Sequence, residues 1–237
     1  MIIIDGDVLD CKAVSSFYDE EITIMDYELL TAHNLLSRIR EITDAKIVLV
    51  KGNHEERVNR RYAEAAKSLG TSIVETEVLY KFQTGFDIRR LDCREHYDPI
   101  DNLEYCNGRS FIYGDLLVGH PSTFRKDFMK TVWIMYNENY KERYPQCKVI
   151  VIGHTHQLGV IYPHNKVLIE CGCMCKPMKY AEKDDKPSRN QHHGYVYLEM
   201  EDGSVDQTSI IVKHLGSDKE DLEERDDYRT EEALDLI

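Results

Sequence analysis

Apolar residues gather in short continuous runs along the chain. Ile2, Ile3 and Ile4 form one, "AKIVLV" at 45–50 a second and "KVIVIG" at 148–153 a third. Such runs are the pattern of strands buried on both faces. Between the first two, Leu29, Leu30, Leu35, Leu36, Ile39 and Ile42 recur at helical spacing and predict a helix from Met25 to Ile42. A second helix is expected from about Glu55 to Leu69, closed by Gly70. The later pattern is different. "FIYGDLLV" at 111–118, "GVIYPHNKVLIEC" and "YVYLEMEDGSVDQTSIIV" each read as two apolar runs around a turn and predict hairpins, with a helix at about Phe124 to Tyr144. The chain therefore reads as a mixed α/β protein whose later strands are joined by hairpins rather than helical crossovers.

Composition adds a boundary. With 237 residues, 42% of them hydrophobic, the chain can build one sizeable core, and we expect one domain over 1–216. Of the net charge of −13, the segment 217–237 contributes −7, from ten Asp/Glu against three Lys/Arg. It reads as an acidic, solvated tail. The acidic balance argues against broad electrostatic grip on duplex DNA. No apolar run is long enough for a membrane span and no signal-peptide pattern opens the chain, so a cytoplasmic location is expected. Seven cysteines form no secreted-type framework and are expected to be reduced.

The chemistry-bearing residues sit at the C-terminal ends of predicted strands. Asp7 and Asp10 follow "III", Asn53 and His54 follow "IVLV", His120 follows "LLV", and His154 and His156 follow "VIVI". Ligands bind at that edge of open α/β sheets, because loops leaving adjacent strands converge there. Carboxylate, carboxamide and imidazole together suit a borderline divalent ion such as manganese, iron or zinc. Glycine precedes each group, at Gly6, Gly52, Gly119 and Gly153, where a missing Cβ allows a sharp turn and close approach.

"GDVLD", "GNHEE", the "GH" before Pro121 and "GHTH", in that order, resemble the motifs of the calcineurin-like metallophosphoesterase superfamily. The resemblance extends to "IECGCMCKPMKYA", and with "GNHEER" it is most similar to versions found in phage and prophage genomes. It implies a four-layer α/β/β/α sandwich of two mixed sheets with two divalent ions (Mn, Fe, Ni or Zn) at one edge. By that resemblance Asp7 bridges the two ions, Asn53, His120 and His154 complete the second ion's shell, and His156 belongs to the first. His54 would act on the leaving oxygen or the transferring phosphoryl group, and Asp10 would orient it or the ligands. Arg57, one turn into the second helix, is a candidate for a phosphate oxygen. The implied activity is metal-dependent hydrolysis of a phosphomonoester or phosphodiester, on a phosphorylated small molecule or a nucleic-acid end. A nuclease, or a binding protein retaining half the site, are the alternatives.

The family's Asp-x-His motif, which supplies two ligands to the first ion, is not present before "GDVLD". We therefore expect either that Met1 is an internal residue of a longer protein or that the chain is a half-site form. Cys11, His96, His192 and His193 are the possible substitutes. Cys171, Cys173 and Cys175 alternate and could share one face, but they lack paired C-x-x-C spacing and are expected to be small buried strand residues.

Overall fold

The computed structural model describes residues 1–15, 25–68, 78–89, 94–123, 125, 127–175 and 191–215. The expected acidic tail and most of the charged stretch at 181–193 lie outside them.

Strands β1 (Ile2–Asp5), β2 (Ile47–Val50) and β5 (Leu103–Cys106) form a three-stranded sheet in the order β1-β2-β5, parallel throughout. A five-stranded sheet runs β6 (Ser110–Tyr113), β7 (Leu116–Gly119), β8 (Val149–Ile152), β10 (Val167–Cys171), β9 (Leu158–Ile161). Here β7, β8 and β10 are parallel, with β6 and β9 antiparallel at the edges. The second sheet is thus mixed as expected, whereas the first is parallel among the described residues.

Alternation along the strands assigns the faces. Ile47 and Leu49 pack with Leu29 and Leu36 of α1 (Met25–Ile42) and with Phe82 of the short α3 (Tyr80–Thr84). Leu117, Ile150, Ile152 and Leu168 pack against Val132 of α4 (Lys130–Met135) and against Tyr140. The α4 helix continues through a π turn, Tyr136–Tyr140, into α5 (Lys141–Arg143). Val118, Val149, Val151 and Ile169 face the other way, toward Ile3 of β1 and the long hairpin of β11 (Gly194–Glu201) and β12 (Ser204–His214). The result is the α/β/β/α sandwich, with helices outside both sheets.

The hairpin is pinned by Asp115, which accepts from Val205 N–H at 2.8 Å and Ser204 O–H at 3.0 Å. The predicted helix at Met25–Ile42 has those bounds, but Leu35 and Ile42 are exposed and Leu29, Ala32 and Leu36 carry its buried stripe. The second helix, α2, spans Glu55–Ser68, and Gly70 lies outside the described residues. A hairpin of β3 (Phe86–Arg89) and β4 (Arg94–Tyr97) has no counterpart in the sequence reading.

Candidate metal centre

β1 and β2 are neighbours in one sheet, and β7 and β8 in the other, and the loops that follow all four meet at one edge. The two sheets approach closely there. A Cβ on Gly153 would stand 2.8 Å from the Asp5 carbonyl oxygen and 3.2 Å from His120 Nδ1, and one on Gly6 would overlap the His120 ring. Gly6 also has φ +74°, a conformation open to glycine at little cost. The next residues take the same left-handed backbone without that freedom: Asp7 at φ 54°, His154 at φ 70° and His156 at φ 56°. Such conformations cost about 1–3 kcal/mol each and persist where surrounding structure over-determines them.

His120 is 2% exposed and organises the centre. Its Nδ1–H donates to the Asp5 carbonyl at 2.7 Å, which directs Nε2 inward, 3.0 Å from Asn53 Oδ1 and 3.2 Å from Asp7 Oδ2. A neutral ring so held presents a lone pair to two oxygens, and three acceptors facing one point require a cation among them. In the protein alone that cation is a proton. Burial works against a charged imidazole, but the hydrogen bond and charge of Asp7, with Asp5 behind, outweigh it and raise the His120 pKa to about 9. Burial likewise opposes the Asp7 charge, yet His120 and His54 hold its carboxyl well below the usual range. His154 is pushed down to about 4 by burial and by the charge of His120, so its ring is neutral near pH 7.

The ligand atoms of Asp7, His120 and His154 lie within 4.8 Å of one another. This donor set fits a divalent ion, with the backbone carbonyl of Asp5 fixing the His120 tautomer as the outer partner of a ligating imidazole does. Asn53 joins the group through His120. Asp5 deepens the negative potential: both its carboxylate oxygens are buried without a hydrogen-bond partner, and burial raises its pKa to about 6.

His54 stands beside this group. Its backbone N–H donates to Asp7 Oδ1 at 3.0 Å, its ring Nδ1 is 3.0 Å from Asp10 Oδ1, and Nε2 is 3.7 Å from Asp7 Oδ2. Asp10 in turn receives Arg57, whose Nη1 donates to the Asp10 carbonyl at 2.7 Å and to Oδ1 at 3.1 Å. The hydrogen bond from His54 is the main cause of the lowered Asp10 pKa, with burial opposing and Arg57 assisting. Arg57, expected to meet a phosphate oxygen, is therefore engaged with Asp10.

Glu55 carries a role that the sequence reading did not assign. Only 2% exposed, its carboxylate accepts from Gly52 N–H at 2.9 Å, Leu9 N–H at 3.0 Å and Asp7 N–H at 3.2 Å. Its position directly after Asn53-His54 was the only available signal.

His156 does not fall within the Asp7 group. It converges with Cys173 and Cys175. Cys171 alone of that run packs against the buried face of the sheet, so the expectation of three core residues does not describe Cys173 and Cys175. The four substitutes considered for the first ion lie outside both groups. Cys11 is buried with Leu9, and His96 pairs with Asp87. His192 Nδ1 accepts from Leu158 N–H, and His193 donates to the Cys175 carbonyl. The six described cysteines are free thiols.

The α/β/β/α sandwich thus brings Asp7, Asn53, His120 and His154 from both sheets to one edge. Residues 1–158 match the calcineurin-like phosphoesterase family, about two thirds of the 237 residues, and the chain belongs to that family. No curated protein matches the chain. The family typically binds two divalent ions, and the matched span contains Asp7, Asp10, Asn53, His54, Arg57, His120, His154 and His156, while Cys173 and Cys175 lie beyond it. No helix among the described residues is long and apolar enough to cross a membrane.

Proposed function

We propose that this protein hydrolyses a phosphomonoester or phosphodiester with divalent ions held at the shared strand edge. The observation that carries the proposal is the convergence of Asp7 Oδ2, Asn53 Oδ1 and His120 Nε2, with His154 alongside, on a point that needs a cation. Bound ions of this kind neutralise phosphate charge and lower the pKa of a water so that it attacks near neutral pH.

The chain's own residues supply the rest. Asp7, Asn53, His120 and His154 hold the ion, and the Asp5 carbonyl and Glu55 keep the ligands in place. His54, oriented by Asp10 Oδ1 at 3.0 Å, gives a proton or hydrogen bond to the oxygen that leaves. Arg57 fixes Asp10 and so acts on His54 at one remove. Manganese, iron, nickel and zinc all suit the carboxylate and imidazole donors. The substrate is a phosphorylated small molecule or a nucleic-acid end, the net charge of −13 disfavouring extended contact with a polyanion.

The test is a side-by-side assay of bis-p-nitrophenyl phosphate, p-nitrophenyl phosphate and single-stranded DNA, after chelation and after return of manganese. Hydrolysis of one class that appears only with the metal supports the proposal. A folded, metal-loaded chain inactive on all three would favour a binding role instead.

A further inference from the structure

We infer that His156, Cys173 and Cys175 form a thiolate-containing metal site for a thiophilic divalent ion such as zinc, beside the carboxylate and imidazole shell of Asp7. Nε2 or Nδ1 of His156 and the two Sγ atoms lie within 4.8 Å of one another. A zinc ion with ligands at about 2.0–2.3 Å separates tetrahedral donors by roughly 3.4–3.8 Å, so small side-chain rotations close the set. Met174 between the two cysteines is 74% exposed, whereas Cys173 and Cys175 are part-buried.

Backbone bonds hold the three contributing segments together. Gly172 N–H donates to Gln157 O at 2.7 Å, His192 N–H to His156 O at 2.8 Å, and Cys173 N–H to His192 O at 2.9 Å. Gly194 N–H donates to Cys173 O at 3.1 Å. The loop after β8 is thereby tied to both cysteine-bearing and 191–194 backbone, and the ligands do not depend on a single flexible turn. His193 Nε2–H fixes the Cys175 carbonyl at 2.6 Å. Gln191 Nε2 lies 3.1 Å from His156 Nδ1 and orients the imidazole ring.

The donor chemistry separates the two positions. Asp7, Asn53, His120 and His154 offer hard and borderline atoms, whereas two thiolates and one imidazole favour zinc over manganese. His156 stands two residues after His154, which places the two groups on the same edge. Three protein ligands leave a fourth position open, as in zinc sites that accept water or substrate. The inference does not depend on the chain being a phosphoesterase.

Cobalt(II) titration of the reduced, metal-stripped full chain tests it. The wild type is expected to develop an intense near-ultraviolet thiolate-to-cobalt charge-transfer band. The band is expected to be lost in the Cys173→Ser/Cys175→Ser double variant and retained in Cys106→Ser and His154→Ala. Zinc is expected to protect two thiols of the wild type from a thiol reagent. A folded wild type with no band and no protected thiols overturns the inference, whether or not the double variant folds, and so does a band that survives the double substitution. His154→Ala keeps the readouts distinct, since loss of hydrolysis with the band intact bears on the proposed function alone.

Discussion

Glu55 Oε2 accepts the backbone N–H of Asp7 at 3.2 Å and that of Gly52 at 2.9 Å, so one buried carboxylate joins the loop after β1 to the loop after β2. Burial and the charge of Asp7 raise its pKa, while backbone donors oppose them. It thereby positions the two loops that carry Asp7 and Asn53.

Glu55→Ala is accordingly expected to destabilise the protein by about 2–4 kcal/mol, because it strands three N–H groups that lose a charged acceptor. Urea unfolding measures this. Glu55→Gln, which keeps one acceptor oxygen, should lose less. Equal midpoints for Glu55→Ala and wild type would remove Glu55 from the framework.

His154→Ala is expected to reduce bound manganese or zinc in the Asp7 group without unfolding the protein. His154 is a neutral donor just after β8, grouped with Asp7 and His120. Elemental analysis of matched wild-type and variant preparations provides the check, and identical metal content would show that His154 is no ligand.

His54→Ala is expected to lower turnover by about two to four orders of magnitude while metal content stays near wild type. The ring's contacts are to Asp10 and, at 3.7 Å, to Asp7, as befits a group poised over the ligands. Asp10→Asn should move in the same direction by less, because the ring remains but loses its orienting charge. Loss of metal from His54→Ala would reassign His54 as a ligand.

How much of this was legible in the sequence depended on how local each signal is. The runs that became β2 and β8 are buried at every position, and a continuous apolar run announces that without reference to the rest of the fold. The strand-end positions of Asn53 and His154 followed from those runs, and those of Asp7 and His120 from the runs at 2–4 and 116–118. The β3–β4 hairpin did not, because "FDIR" and "REHY" are half charged and the second strand has no fully buried residue. Arg57 lies within reach of the site by helical spacing, but its capture by Asp10 depends on the path of the loop after β1. Cys173 and Cys175 alternate as core residues do, and only the closure of the loop carrying His156 onto 172–173 and 191–192 separates them from Cys171. Glu55 is equally a tertiary result, since its three donors come from two loops.

An ion held by Asp7, Asn53, His120 and His154 is expected to enable phosphoester hydrolysis. The most direct test is the turnover of bis-p-nitrophenyl phosphate and p-nitrophenyl phosphate by the wild type and by His120→Ala, each stripped of metal and resupplied with manganese. Activity in the wild type is expected to vanish after stripping, to return with manganese, and to fall at least about a hundredfold in a folded His120→Ala. Metal-independent hydrolysis, or full manganese-dependent activity in His120→Ala, would contradict this.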